Sequence, residues 1–414
     1  MDDDRDRARD VMAAPVQDGS RSAGADAPRD AADVRDAVRD AVVAGRPLRI
    51  VAGRSWLDAG RPADAGAELD LAALDGIVEY TPGDLTLTAL AATPLVALAR
   101  AARANGQWLP LDPFGDPRAT LGATLATASA GPLASSVGLP RDVALGIEFV
   151  TGEGEIVRGG GRVVKNVAGF DLVRLNVGAW GTLGVLTEAT VRLRALPECD
   201  ATIALAPPAR ASAHQETRTT GDGAWLRAWL AALRAAPLTP IAAELLNPAL
   251  AARLSLGASS LVLVRLAGNA ENVEAQRATL ASLGDTADAD PALWERLREV
   301  EPAGAATFRL SRRPSELADI WARVESALGP VPDAMALASV ERGVVRAIVP
   351  GASAEPLALV LAALGTAGAL IPERLPAACW SALASEHSAP LAVATRLAFD
   401  PGRILNRGVV SGAS

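Results

Sequence analysis

Aromatic residues are scarce in this 414-residue chain: Phe, Trp and Tyr make up only 3% of the sequence, although half of it is hydrophobic. The cores must therefore be built mostly from Ala, Val and Leu, and few rings are available to stack on nucleic-acid bases. The net charge of −8 also argues against a nucleic-acid partner, because such a partner requires a basic surface that neutralises phosphates. The composition indicates a globular protein of two or three domains that does not bind nucleic acid.

Cysteine and histidine are also rare, with two of each in the chain. Cys199 and Cys379 are far apart in sequence and form no CxxC motif, so neither a disulfide framework nor an iron–sulfur cluster is expected. His214 and His387 have no His, Cys or Asp partner at ligand spacing, which predicts that the chain holds no metal. A Ser-His-Asp hydrolase is not indicated either, because the sequence contains no GxSxG motif.

Long hydrophobic runs are missing as well. The run at 357–370 is interrupted by Gly365 and Gly368 and is shorter than a bilayer crossing requires, so no membrane span is predicted. The first residues, MDDDRDRARD, lack the basic and then apolar order of a secretory signal. The chain is therefore expected to be cytoplasmic.

Lysine occurs once. Lys and Arg total 40, so the single Lys165 leaves 39 arginines to carry the rest of the basic charge. A compact cation on a flexible stem suits a tight site that the planar guanidinium group cannot enter. Lys165 is therefore a candidate for stabilising an anionic group. A structural ion pair with Asp171, six residues on, is an equally good explanation, and the sequence leaves both open.

Composition and periodicity divide the chain into four segments. Residues 1–30 have no apolar periodicity and are predicted to be a disordered acidic tail. Residues 31–198 are predicted to form a first domain of mixed helices and strands. Over 199–395, long Ala/Leu helical patterns alternate with apolar strand candidates, which predicts a second α+β domain. The last segment, 396–414, is expected to return to the first domain.

Local patterns predict individual elements. Val34, Val38 and Val42 recur at four-residue spacing, which is typical of a short amphipathic helix. The segment 145–161 is predicted to be a hairpin with its turn at 152–154. Further strands, which together resemble a meander, are predicted at 48–52, 69–71, 77–80 and 85–89. In the second domain no fixed-period repeat is visible, helices are predicted at 223–236, 270–284 and 314–328, and strands at 260–266 and 343–349.

Glycine is plentiful where backbone could approach an anionic ligand, notably around positions 53, 122, 131, 159–161 and 178–184. Loops of this kind present N–H groups to phosphates, although each single glycine is better explained as a turn or bulge residue. A nicotinamide-binding Rossmann unit is not indicated, because no GxGxxG follows an early strand. The predicted strand 48–52 runs directly into Gly53, Arg54 and Ser55, which makes this loop a candidate phosphate cradle.

A series of motifs carries a family resemblance. In order along the chain they are GRS at 53–55, TLGA at 120–123, AGP at 130–132, RDVALG at 141–146, GGRVVKNVAGFD at 160–171, WGTLGVLT at 180–187, and FDP at 399–401 leading to Asn406. The sequence resembles the FAD-binding family of p-cresol methylhydroxylase and vanillyl-alcohol oxidase (PCMH-type), and within it the FAD-binding subunits of glycolate oxidase. The resemblance runs from about Val34 to the C-terminus and is strongest at 120–197.

The resemblance implies an α+β fold, with a two-part PCMH-type FAD-binding domain and an α+β, ferredoxin-like cap. It also implies a division of the FAD contacts among several segments. The first loop, from Gly53 to Trp56, would wrap the pyrophosphate. Pro113 and the segment from Thr120 to Thr124 would run past the flavin ring and ribityl chain, and Asn406 would approach the ring. The residues carried over as cofactor contacts are Gly53, Arg54, Ser55, Trp56, Pro113, Thr120, Leu121, Gly122, Ala123, Thr124, Gly131, Asp142, Gly181, Gly184, Val185 and Asn406.

The chain departs from the family pattern at several points. The usual second glycine after Gly122 is Ala123, and Leu133 and Ala134 replace a basic pair found in the FAD-binding subunits of glycolate oxidase. No His or Cys stands in the first loop, so the FAD is expected to be bound non-covalently. Lys165 is the candidate for stabilising charge on the reduced flavin or on the cofactor phosphates.

The implied function is that of an FAD-binding subunit in a glycolate (2-hydroxy acid) oxidase or dehydrogenase complex that converts glycolate to glyoxylate. The implied partners are a homologous catalytic FAD subunit and an iron–sulfur subunit, through which the chain would associate with the inner membrane. Two alternatives stay open. One is a self-sufficient flavin dehydrogenase in which arginines of the cap, such as Arg265, Arg309 or Arg346, hold a substrate carboxylate. The other is a flavin-free structural subunit of the same complex.

Overall fold

The computed structural model describes residues 27–161, 170–208, 224–351, 354–365, 369–380 and 390–410. Lys165 and both histidines lie outside the described residues, as does the N-terminal tail up to residue 26. The described chain begins just before a helix whose N-cap is Asp30, a side chain that accepts a hydrogen bond from the backbone N–H of Asp33. Val34, Val38 and Ala41 form the buried face of that helix, as the four-residue spacing predicts.

The first part of the described chain contains short helices and strands in alternation. Its helices are α1 (Ala31–Val43), α2 (Leu95–Arg103), α3 (Leu121–Thr127), α4 (Ala134–Val137), α5 (Pro140–Val143) and α6 (Leu172–Asn176). Its strands are β1 (Leu48–Val51), β2 (Ala67–Asp70), β3 (Ile77–Thr81), β4 (Thr86–Leu90), β5 (Gln107–Trp108), β6 (Ala144–Val150), β7 (Ile156–Gly160), β8 (Val185–Arg192) and β9 (Arg194–Ala195).

Five of these strands form an antiparallel sheet in the order β3-β4-β8-β6-β7. The predicted hairpin is confirmed, because β6 and β7 pair from Gly146 with Gly160 to Val150 with Ile156. The predicted meander is wrong in its first half: β1 and β2 pair in parallel as a separate two-stranded sheet. Parallel strands need a crossover rather than a tight turn, and the 15 or so residues between β1 and β2 provide it.

The C-terminal segment packs against the first part of the chain. Leu405 forms a parallel bridge with Leu48, and the backbone N–H of Asn406 donates to the Leu48 carbonyl at 2.9 Å. The carboxylate of Asp400 accepts from the backbone N–H groups of Ile404 and Leu405, which fixes the turn before this bridge. Residues more than 350 positions apart therefore lie side by side at β1.

The second part carries the cap. Its helices are α7 (Ala224–Ala235), α8 (Pro248–Arg253), α9 (Ala270–Ala281), α10 (Leu293–Arg298), α11 (Leu317–Leu328), α12 (Ala354–Gly365) and α13 (Ala377–Trp380), followed by α14 (Pro390–Phe399). Its strands are β10 (Cys199–Ala206), β11 (Ala242–Leu246), β12 (Leu261–Gly268), β13 (Asp285–Ala289), β14 (Ala306–Ser311), β15 (Met335–Ser339), β16 (Val344–Val349) and β17 (Ala369–Arg374).

These eight strands form one antiparallel sheet in the order β13-β10-β12-β11-β15-β16-β14-β17. The sheet consists of two halves, each a β-α-β-β-α-β unit in chain order, that meet where β11 pairs with β15. The ferredoxin-like cap is therefore confirmed, and the structure shows the topology twice. The two halves share their topology but no fixed sequence period, so the repeat is not visible in the sequence. Helix α8 is inserted within the first half, and helix α10 follows it.

Each face of the cap sheet has its own core. On one face, Ala243 and Val264 pack with the helices α7 and α11. On the other, Ala242 and Leu263 pack with α8, α10 and Phe114, a residue of the first part. Phe114 therefore anchors the cap to the first part. Among the described residues, no helix has the length and apolar character needed to cross a membrane.

Candidate cofactor site

A cavity lies where the loop after β1, helix α3, the turn before β8 and the C-terminal segment meet. Nine of the carried-over residues line it: Gly53, Arg54, Ser55, Trp56, Gly122, Ala123, Gly181, Gly184 and Asn406. Other described lining residues include Arg49, Ala91, Thr127 and Trp180. Segments that are remote in sequence therefore converge on one concave surface, which is typical of a cofactor site.

Asn406 holds three walls of the cavity together. Its Oδ1 accepts a hydrogen bond from the backbone N–H of Ile50 at 2.8 Å, and its Nδ2 donates to the carbonyl of Trp180 at 2.7 Å. A Cβ on Gly181 would stand 2.8 Å from the same Nδ2, so only glycine fits there. The side chain of Asn406 thus fixes strand β1 and the turn at 180–181 relative to the C-terminal segment.

Glycine is required where the cavity walls pack closely. A Cβ on Gly53 would approach the Arg118 carbonyl and the Thr120 methyl group to 2.9 Å each. On helix α3, a Cβ on Gly122 would lie 2.8 Å from the Cβ of Ala91. These two glycines therefore act through close backbone packing, and they leave the small Ala123 facing the cavity.

The backbone around the cavity adopts an uncommon conformation at three non-glycine positions. Arg54, Trp180 and Asn406 have φ angles of 57°, 55° and 42°, in the left-handed region. Such conformations cost energy and are concentrated at binding sites, where surrounding contacts hold them. All three side chains line the cavity, which supports a binding role for this surface.

Two buried polar atoms in the first loop have no hydrogen-bond partner: the hydroxyl oxygen of Ser55 and the indole Nε1 of Trp56. Buried polar groups are usually paired, so a donor pair of this kind indicates that an acceptor is missing. The phosphate oxygens of FAD are acceptors of the required kind. The polar atoms and the small residues of the walls therefore fit FAD.

Arg374, at the end of strand β17 in the cap, contacts the first loop. Its guanidinium carbon lies 4.3 Å from the centre of the Trp56 ring, and its Nη2 donates to the Ser55 carbonyl at 3.3 Å. Its Nε donates to Asp58 at 3.0 Å. Arg374 was missed in the sequence because the residues around it form no motif; only the fold brings β17 to the first loop.

The other seven carried-over residues do not line this cavity. Thr120 caps helix α3 by accepting from the Ala123 N–H, and Thr124 donates to the Thr120 carbonyl. Asp142 accepts from the Leu139 N–H. Leu121 and Val185 are fully buried in the hydrophobic cores, Pro113 lies buried beside Phe114, and Gly131 packs against the backbone of Asp112.

The three cap arginines proposed for a substrate carboxylate already have carboxylate partners. Arg265 pairs with Asp200 at 2.6 Å. Arg309 and Arg346 both pair with Glu373, and Arg346 also pairs with Glu301. None of these three arginines therefore offers an unpaired cation to a substrate.

Two carboxyl groups, the partly buried Asp112 and the buried Glu244, lie near the contact between the cap and the first part. Burial raises the pKa of Asp112 to about 6, even though its carboxylate accepts from the Leu133 N–H at 2.9 Å. Burial raises the pKa of Glu244, on β11, to about 8; Arg342 lowers it, and Asp112 and Glu341 raise it further. Glu244 is therefore largely protonated at neutral pH.

We expect Glu244→Gln to change the pH dependence of stability. Between the ordinary pKa of 4.5 and about 8, the unfolded chain is ionised at this position while the folded chain keeps its proton. The free energy of unfolding of the natural protein therefore falls as pH rises through this window, by up to about 1.4 kcal/mol per pH unit. Glutamine does not titrate, so its contribution to stability does not change with pH. The free energy of unfolding of Glu244→Gln, relative to that of the natural protein, should therefore increase from pH 5 to pH 8. Urea unfolding at several pH values measures it.

The exposed Glu274 provides the control, because Glu274→Gln removes a carboxylate from the surface of helix α9. Its stability difference from the natural protein should stay within about 0.5 kcal/mol at every pH. A Glu244→Gln difference that is equally independent of pH would contradict the buried, protonated carboxyl.

Comparison with known proteins finds a matching domain family and similar sequences. A family model described as an FAD binding domain matches residues 23–160. The glycolate oxidase subunit GlcE of Escherichia coli is 42% identical over 170 residues, which are 41% of this chain and 47% of that protein. The glycolate oxidase subunit GlcD of Bacillus subtilis is 36% identical over 142 residues, 34% of this chain and 30% of that protein. The chain thus matches about half the length of the first relative and less of the second.

Among solved structures, p-cresol methylhydroxylase with substrate bound has a TM-score of 0.70, covering 93% of this chain and 88% of that chain. Its identity is 14%, so the likeness concerns the fold. The fold is of the PCMH type, and the match to an FAD binding domain identifies FAD as the cofactor. Over part of its length the chain is similar to the glycolate oxidase subunits.

Proposed function

We propose that the chain is the FAD-binding accessory subunit of a glycolate (2-hydroxy acid) oxidase or dehydrogenase complex. The observation that carries the proposal is the cavity closed by Asn406, with two unpartnered buried donors in its first loop. The similarity to two different glycolate oxidase subunits supports the substrate class and a multi-subunit assembly. Bound FAD would supply the acceptor for the hydride of a 2-hydroxy acid.

The residues of the chain bind and orient the cofactor in this proposal. The donors of Ser55 and Trp56, with the backbone at Gly53 and Arg54, face the pyrophosphate. Gly122 and Ala123 leave room along helix α3, and Asn406 keeps the walls at a fixed spacing. Arg374 stacks on Trp56 from the cap and so orders the loop. No covalent link to FAD is proposed, since the first loop has no His or Cys.

The ion pairs of Arg265, Arg309 and Arg346 support an accessory rather than a self-sufficient role. We assign substrate oxidation to a homologous catalytic FAD subunit, and electron uptake to an iron–sulfur subunit of a cytoplasmic complex that meets the inner membrane through its partners. The division into 31–198, 199–395 and 396–414 fits this proposal, since strand β10 of the cap begins at Cys199.

The test is the visible absorption spectrum of the purified chain. We expect a flavin spectrum that is released as free FAD on denaturation, and we expect the protein stripped of flavin to take up added FAD. Activity with glycolate and an artificial acceptor should be low for the chain alone and should rise when the partner subunits are added. A well-folded, colourless chain that takes up no FAD would favour the structural subunit, and full activity alone would favour the self-sufficient enzyme.

A further inference from the structure

A second cavity, partly open to solvent, lies in the cap on the sheet face opposite the cofactor domain. Ala243 and Val264 form its floor, and their sheet neighbours Ala242 and Leu263 point to the other face, towards Phe114. The remaining described lining residues are Leu233, Arg234, Leu238, Pro240, Pro314, Val340 and Glu341. None of these residues belongs to the cofactor cavity.

The volume of this second cavity is about 310 Å³. An apolar cavity of about 150 Å³ is enough to hold a benzene molecule. Leucine, proline, valine and alanine side chains form most of the described wall, which suits an apolar chain or ring. The cavity can therefore hold a small organic molecule whose body is apolar.

Arg234 supplies the specific contact. It lies in the last turn of helix α7, and its buried Nη1 has no hydrogen-bond partner. Burial lowers the pKa of the Arg234 guanidinium, but a guanidinium group remains charged in proteins. By contrast, Arg227 on the same helix is exposed and pairs with Asp319. Arg234 therefore brings a positive charge to the wall of an apolar cavity, and its buried Nη1 has no acceptor.

The charge balance of the cavity selects the kind of anion. Arg234 is the only cation among the described lining residues, and Glu341 is the only carboxyl group. Burial raises the pKa of Glu341, which disfavours a second negative charge in the cavity. The single cation of Arg234 matches a single negative charge, whereas a phosphate dianion would need further donors.

We propose that the cap binds a small monocarboxylate with an apolar body in this cavity, with its carboxylate on Arg234. The site is separate from the cofactor cavity, so the inference does not rest on the proposed function. The ligand class is a short-chain fatty acid or an aromatic carboxylic acid.

Calorimetric titration of the FAD-saturated protein with hexanoate and benzoate tests the proposal. We expect saturable binding at one site per chain for at least one of the two probes. Arg234→Met should weaken that binding at least tenfold. Arg227→Met, on the exposed side of the same helix, should leave it unchanged. Hexanol, which has the same apolar body without the charge, should bind at least tenfold more weakly than hexanoate.

A second variant keeps the test independent of the folding of Arg234→Met. Leu238 lies in the loop after α7 and is only partly buried, so Leu238→Trp should fill much of the cavity while Arg234 itself is kept. We expect it to abolish binding of the probes while FAD content and the circular dichroism spectrum stay the same. Absence of saturable binding at millimolar probe, or equal binding by the natural protein and both cavity variants, would overturn the proposal.

Discussion

Replacing Arg346 with methionine is expected to destabilise the protein by about 3 to 5 kcal/mol. The Arg346 side chain is only 4% exposed, and its two partners, Glu301 and Glu373, are 7% and 11% exposed. Removing the guanidinium group leaves both carboxylates short of a partner in a region of low dielectric. Arg374 and Arg309 contact the same carboxylates but cannot replace the missing central cation. Urea unfolding followed by circular dichroism measures the loss.

The matched control is Arg265→Met on strand β12. Arg265 also pairs with one carboxylate, but it is 24% exposed and its partner Asp200 is 34% exposed. Exposed pairs contribute about 0 to 1 kcal/mol, because water solvates the charges when the pair is broken. If the two variants lose equal stability, the contacts of Arg346 do not form the buried network that the structure shows.

This network also bears on how the cap is held. Arg374 joins Glu301 of the cap to Asp58 and the Ser55 carbonyl of the first part. The Arg346 guanidinium carbon lies 4.6 Å from the centre of the Phe114 ring, which comes from the loop before helix α3. The cap therefore contacts the first part through cations that are themselves neutralised inside the cap. A variant that breaks the network should loosen the first loop together with the cap.

Local sequence patterns were sufficient to predict those elements whose structure is determined by neighbouring residues. Asp30 caps a helix whose buried face is given by Val34 and Val38, and the hairpin at 144–160 follows from alternation and its turn. The motifs at 53–55 and 180–187 identified loops that do meet at one cavity, although 125 or so residues separate them. Short motifs of this kind predict the loops of a binding site because the backbone of each loop requires glycine.

Long-range pairing could not be predicted in the same way. The parallel pairing of β1 with β2 has no local signature, and neither does the meeting of β11 and β15 that joins the halves of the cap. Arg374 and Glu301 lie in unremarkable sequence, and their role depends on strands that come together only in the folded chain. Helix and strand positions in the cap were recognisable from apolar periodicity, whereas the duplication of its topology was not.

Asn406→Leu is expected to weaken FAD binding about 100-fold and to lower stability by about 2 to 4 kcal/mol. Leucine has a similar size but removes both hydrogen bonds of the side chain, to the Ile50 N–H and to the Trp180 carbonyl. It also places a γ-branched residue at a φ of 42°, which asparagine tolerates better than most residues. The walls that Asn406 holds at a fixed spacing line the cofactor cavity, so their relaxation should lower affinity for the cofactor directly.

FAD affinity is measured by titrating the stripped protein and following flavin fluorescence, at a temperature where both variants are folded. The control is Asn105→Leu, which removes an exposed asparagine whose Nδ2 donates to the Ala101 carbonyl at 3.2 Å, at the end of helix α2. That change should alter neither FAD affinity nor stability by more than about 0.5 kcal/mol. If Asn406→Leu lost stability but bound FAD as tightly as the natural protein, Asn406 would be a structural tie of the C-terminal segment, and the cofactor would lie elsewhere.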